Sequence, residues 1–143
     1  MLKRQPLYLA APLFTPEERA FNEYLSTRLE QKFQVFLPQR DGHLIPGKKL
    51  SREKYNRLAS KVFAADIAAI RNSTILFAVL NGRTMDEGVC FEIGFAHAIG
   101  VVCVGYLTDS RVLLPTGMNP MIECSLESSF RSDNELSRWI KKI

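Results

Sequence analysis

Three carboxylates stand where this 143-residue chain could do chemistry: Asp66, Asp86 and Glu92. Asp86 and Glu92 bracket the stretch Asp86-Glu87-Gly88-Val89-Cys90-Phe91-Glu92, which follows a polar break, Asn81-Gly82-Arg83-Thr84. The apolar runs Thr74 to Leu80 and Val101 to Leu107 flank it and are each of strand length. The order strand, loop, helix, strand reads as one βαβ unit. In an open parallel sheet the loop–helix junction of such a unit is the mouth of the ligand crevice. A carboxylate in a first helical turn faces unpaired backbone N–H groups and the positive end of the helix dipole, so it tends to stay ionised. An ionised Glu in a crevice can be a nucleophile. The competing reading is that Asp86 only caps the helix and Glu92 is solvated. Asp66 poses a second question. Leu58, Val62, Asp66 and Ile70 fall at i, i+4 steps, so this carboxylate lies on an apolar stripe, either half-exposed at its edge or held at a buried site.

The elements that must position these groups follow from the pattern. Leu7 to Ala11 is a first strand without polar alternation, which suits a central strand covered on both faces. Thr15-Pro16-Glu17-Glu18 is a helix start with a capping box and Pro at the first helical position. Phe21, Tyr24, Leu25 and Leu29 carry that helix to about Lys32. Phe33 to Leu37 is a short second strand ended by Pro38, and Gln39 to Leu50 is a loop long enough to wall a site. Ser51 caps the long helix that runs to about Asn72. After the βαβ unit come a turn at Thr108 to Arg111, a loop from Val112 to Gly117, an apolar segment from Met118 and a short strand at Phe130. Ser132-Asp133-Asn134-Glu135 opens a last helix with Leu136, Trp139 and Ile140 inward. The alternation predicts one α/β domain over residues 1–143, a doubly wound five-stranded parallel sheet with helices on both faces. Cys90 and Phe91 read as core, and Gly94 as a residue that permits close helix–strand packing.

Composition narrows the function classes. Hydrophobic residues make up 46% and charged residues 24%, ordinary for a soluble globular chain. Cys90, Cys103 and Cys124 form no CxxC pair and sit among apolar neighbours, which fits buried, reduced thiols in a cytoplasmic protein. His43 and His97 lack metal-ligand spacing, so no metal is expected. With no GxGxxG after the first strand and no P-loop, no dinucleotide or ATP cofactor is expected either. The start, Met1 to Arg4 followed by Leu7 to Phe14, has the outline of a signal peptide, but Pro12 breaks it and no A-x-A-like site follows. No run reaches membrane-spanning length. The net charge of +4 gathers around Lys48, Lys49, Arg52, Lys54, Arg57 and Lys61. No aromatic residues are interleaved there for base stacking, so a solvated helix face is expected rather than nucleic-acid binding.

The ordered set Tyr8-Leu9-Ala10-Ala11-Pro12-Leu13-Phe14, Asp66, Asp86 to Ala96 and Asn119-Pro120-Met121 resembles the nucleoside 2-deoxyribosyltransferases over nearly the whole chain. The resemblance implies a flavodoxin-like fold and a place in nucleotide salvage, moving a 2-deoxyribosyl group from one nucleobase to another through a covalent glycosyl-enzyme. It also implies roles by position: Glu92 as nucleophile, Asp66 handling the proton at the nucleobase, and Tyr8 orienting Glu92. Asp86, Gly88 and Phe14 would bind substrate. Asn119 and Met121 would enter the site of an adjacent subunit in a dimer-based homo-oligomer. The partners implied are a 2-deoxynucleoside and a free nucleobase. Three departures stand out: Glu87 where many relatives have Ser, Pro120 where they have Leu, and a basic end, Lys141-Lys142-Ile143.

The chemistry agrees with those roles. A nucleobase leaves poorly until protonated, and one ionised carboxylate with one proton donor is the retaining-glycosidase solution. On sequence grounds Glu92, near a helix start, is the ionised member, and Asp66, on an apolar stripe, the protonated one. Two other functions fit the same pattern: an N-glycosidase acting on 2-deoxynucleosides or their 5′-monophosphates, and a non-catalytic nucleotide-binding sensor.

Overall fold

A computed structural model describes residues 4–111 and 117–143. Most of the expected loop from Val112 to Gly117, and Met1 to Lys3, lie outside the described residues. Five strands, β1 (Gln5–Ala10), β2 (Phe33–Phe36), β3 (Ile75–Val79), β4 (Val102–Tyr106) and β5 (Ser128–Phe130), pair in the order β2-β1-β3-β4-β5. Every pairing is parallel. Six helices connect and follow them: α1 (Pro16–Leu29), α2 (Pro38–Asp41), α3 (Arg52–Arg71), α4 (Glu87–Ala98), α5 (Pro120–Glu123) and α6 (Asp133–Lys142). This is the doubly wound sheet expected, and the strand order reverses beside β1.

Strand alternation splits the core. Leu7 and Leu9 of β1 join Leu25 and Leu29 of α1 and Leu136 and Ile140 of α6 on one face. Tyr8 and Ala10 point the other way, into a cluster with Ile70 of α3 and Val89, Ile93 and Ala96 of α4. Period-two alternation on a strand buried on both faces therefore sends Tyr8 to the side where α3 and α4 carry the carboxylates. Trp139 closes the opposite face, stacked 5.4 Å from Phe33 and tilted 5.2 Å from Phe130.

Helix starts follow their caps. Thr15 and Glu18 form a reciprocal capping box, and Ser51 accepts from the Lys54 amide at 3.3 Å. Ser132 accepts from the Glu135 amide, while the Glu135 carboxylate takes the Arg131 amide at 2.6 Å.

Several expectations need correction. Pro38 ends β2 but opens the four-residue α2 rather than a loop, its start held by Asp41 accepting the Leu37 amide at 2.8 Å. Phe91 is 54% exposed, because α4 turns it outward against Phe63 of α3, ring centres 6.0 Å apart. Cys103 is buried, but Cys90 is half-buried and Cys124 exposed, since the short α5 before it buries none of its residues. Close packing falls at Gly105, where a Cβ would meet Leu126 and Leu80 at 2.8 and 2.9 Å, and not at Gly94, where it would meet nothing within 4 Å.

Candidate active site

Tyr8, Asp66 and Glu92 come together. The Tyr8 hydroxyl donates to Glu92 Oε1 at 2.6 Å. The phenol is fully buried and stacked on Phe36 at 5.7 Å, which leaves its ring one orientation. Asp66 and Glu92 line one pocket of about 310 Å³ with Gly88, Ile45, Phe63 and Phe91. A larger groove of about 820 Å³ lies along β2 and the last turns of α3. Its one carboxylate, Asp41, is ion-paired to Arg40, so size and chemistry point to different cavities. The smaller pocket, which holds two carboxylates and the Tyr8 hydrogen bond, is the candidate site.

Burial, more than the helix dipole, sets the electrostatics of the two carboxyls. Glu92 lies five residues past Glu87, the first residue of α4, and so beyond the first turn and the helix's free N–H groups. Burial dominates there and pushes its carboxyl up to about 8. The Tyr8 hydrogen bond pulls it down, and the Asp66 and Asp86 charges push it further up. Asp66 is pushed up to about 6, also by burial first, with the nearby His43 pulling it down. Its Oδ1 is buried without a hydrogen-bond partner among the described residues. Tyr8 is held well above the usual phenol range by burial and by the Glu92 and Asp66 charges. The two carboxyls titrate as a pair with apparent values near 6 and 8, and between them the pair holds one proton.

Asp86 is the N-cap of α4, its Oδ1 accepting the Val89 amide at 3.0 Å. That bond uses one oxygen of a half-buried side chain next to the pocket. Gly88 lines the pocket, and a Cβ there would sit 3.0 Å from Asp86 Oδ1. Asn119 and Met121 lie elsewhere. They line a separate pocket of about 480 Å³ with Arg83, Cys90 and Met118. Asn119 caps α5 by accepting the Met121 amide at 2.9 Å, and Met121 is 81% exposed. Phe14, 73% exposed at the mouth of α1, lines neither pocket. Among the described residues no group of three or more His, Cys, Asp or Glu is placed to hold a metal ion, and no helix is long and apolar enough to cross a membrane.

The family model for nucleoside 2-deoxyribosyltransferase matches residues 7–136, and the chain belongs to that family. None of the curated proteins matches it significantly. Among solved structures, a conserved protein from Enterococcus faecalis is 25% identical, with a TM-score of 0.75 over 97% of this chain and 98% of that one. A 2-deoxyribosyltransferase from Bacillus psychrosaccharolyticus is 23% identical, with a TM-score of 0.73 over 92% of this chain and 89% of its own. A 2-desoxiribosyltransferase from Leishmania mexicana is 18% identical, with a TM-score of 0.63 over 94% and 96%. The last two show the shared fold.

Proposed function

We propose that the protein transfers a 2-deoxyribosyl group between nucleobases through a covalent ester on Glu92, with retention at the anomeric carbon. The observation that carries this reading is the 2.6 Å Tyr8–Glu92 hydrogen bond in the pocket that also holds Asp66. A carboxylate with one oxygen fixed by a buried phenol presents its other oxygen in a set direction, which a nucleophile needs. Glu92 attacks C1′ as the C1′–N bond breaks. The bond's electron pair goes to the departing base, which takes the Asp66 proton. A second base then attacks C1′, the ester bond breaks back to the Glu92 carboxylate, and the incoming base returns its proton to Asp66. Two inversions give net retention.

The proton count of the free site suits this cycle. One proton on two carboxyls is the working number, and the reaction needs it on Asp66 with Glu92 ionised. The Tyr8 hydrogen bond favours ionised Glu92, the positive charge developing at C1′ favours it further, and a base nitrogen beside Asp66 favours a proton there. Asp86, beside Gly88 at the rim, offers an acceptor for a sugar hydroxyl and opposes a 5′-phosphate. Asn119 and Met121 serve a neighbouring protomer's site, because their own pocket is separate from the one holding Glu92.

Incubating the protein with deoxyadenosine and cytosine tests the reaction. The expected product is deoxycytidine, with adenine released in equal amount. Free 2-deoxyribose without a new nucleoside would replace the transferase with a hydrolase, and no turnover of either kind would favour a binding domain.

A further inference from the structure

The short helix α2 has no role in the reaction described so far, yet its C-terminal end packs against Asp66. Side chains pin it to α1. The buried Asn22 amide donates to Gln39 Oε1 at 3.0 Å, and Gln39 Nε2 donates to the Arg19 carbonyl at 3.0 Å. Gly42, the C-cap, closes the turn by donating its amide to the Pro38 carbonyl at 3.0 Å. A Cβ added at Gly42 would sit 2.8 Å from that carbonyl oxygen and 3.4 Å from Asp66 Oδ1. The φ of −100° at Gly42 is open to any residue, so what the position demands is space. Asp66 Oδ1 is the buried side-chain oxygen left without a hydrogen-bond partner among the described residues. The titratable groups whose charge bears on Asp66 are Glu92 of α4, Tyr8 of β1 and the exposed His43 of the following loop, and none of them hydrogen-bonds Oδ1.

We propose that Gly42 is a positioning residue for this reaction: its backbone packs against Asp66 Oδ1 and keeps water and donors off that oxygen, so that Asp66 holds its proton until a departing base takes it. The proposal rests on the reading of Asp66 as proton donor. The step moves one proton, from Asp66 to a base nitrogen, and Gly42 exchanges none. A carboxylate oxygen stripped of water and given no donor disfavours the ionised form. A water or a donor at Oδ1 would stabilise the carboxylate and weaken the hold on the proton that the first half-reaction uses. Burial as the main cause of the raised Asp66 carboxyl agrees in direction. A side chain at position 42 does not fit with α2 in place, because it would meet the Pro38 carbonyl of a helix that Gln39 anchors to α1. The turn must then lift, and water reaches Oδ1.

The test follows Asp66 itself. The full chain, labelled with ¹³C at aspartate carboxyls and assigned with Asp66→Asn, is titrated by NMR as wild type, Gly42→Ala and Gly47→Ala. Gly47 is the control, in the same connection but with nothing within 4 Å of an added Cβ. Gly42→Ala should move the Asp66 titration down by about one pH unit, and Gly47→Ala should leave it in place. Single-turnover release of the base is then followed with two donors at pH 7. With deoxyadenosine, whose base needs a proton, Gly42→Ala should lose rate severalfold. With 7-methyl-2′-deoxyguanosine, whose base is already cationic, it should stay near wild type. An Asp66 titration that stays put or rises in folded Gly42→Ala, or an equal loss with both donors, overturns the proposal. If Gly42→Ala does not fold, Gln39→Ala carries the test, since it frees α2 from α1 without changing charge. It should lower the Asp66 titration, and an unchanged one overturns the proposal. If the titration moves as stated while the wild type turns over neither donor, the Gly42 assignment stands and the transferase reading fails.

Discussion

Glu92 is half-buried with two carboxylates for company, and its consequences reach both stability and rate. Its carboxyl lies near 8 in the folded chain against an ordinary 4.5. A raised acid favours folding most below the ordinary value, and that contribution is lost as pH rises through 8. Glu92→Gln removes the group that must ionise, so the variant should gain melting temperature relative to wild type at pH 9 and show little difference at pH 5. An equal change at both pH values would mean that Glu92 is not desolvated. On the proposed mechanism the same pair sets the rate profile. Below about 6 both carboxyls are protonated and no nucleophile remains; above about 8 neither holds a proton for the base. Base exchange should therefore follow a bell with limbs near those values. Asp66→Asn should lose about 10²–10⁴-fold in rate, most for the base that most needs protonation. The residue types of this site were legible in the sequence, because Asp66 sits at an i+4 step on an apolar stripe and Tyr8 in a central strand. The raised carboxyl of Glu92 was not, because it depends on where Glu92 falls along α4 and on how far the fold buries it, and a spacing argument sees neither.

At the scale of elements, caps and alternation set most of the architecture. Ser51 fixes the start of α3, the helix that carries Asp66 and that buries only Ile70 fully. Ser51→Ala should lower stability by about 1 kcal/mol and leave the pH–rate profile in place, because Asp66 lies four turns away. A shifted profile would show that fraying at the cap reaches the site. The five parallel strands and the helices on both faces could be read from apolar runs and turn residues. The short elements could not. Helix α2 has four residues and no periodicity to detect, and its signal is a side-chain bond from Asp41 to the Leu37 amide. Phe91 looked like core because it lies in an apolar run. Helix α4 is buried on only part of its circumference, and Phe91 is on the outer part.

The whole molecule leaves its site open on one side. Phe63 and Phe91 are 58% and 54% exposed at the pocket's rim, and Ile45 is 42% exposed beside them. Apolar side chains gathered at a rim are characteristic of a surface covered in the assembled protein. Asn119 and Met121 line a pocket of their own, and on the proposed reading a second copy supplies them to the site. Mixing two inactive variants tests this. In an equal mixture of Glu92→Gln and Asn119→Ala dimers that exchange subunits, half the dimers are mixed and each holds one intact site. Activity should return to about a quarter of wild type by that symmetry. No recovery after demonstrated subunit exchange would place Asn119 outside the neighbour's site.

The central claim is that Glu92 forms a bond to the sugar, and trapping that bond tests it most directly. A 2-deoxy-2-fluoro nucleoside slows breakdown of a glycosyl ester, because fluorine destabilises positive charge at C1′. After incubation with it, acid quench and proteolysis, the peptide containing Glu92 should gain the mass of one fluorinated sugar, with fragmentation placing it on Glu92. The adduct should vanish when a free nucleobase is added before the quench. An adduct on any other residue would contradict the account, as would a Glu92→Gln variant that still exchanges bases at a substantial rate.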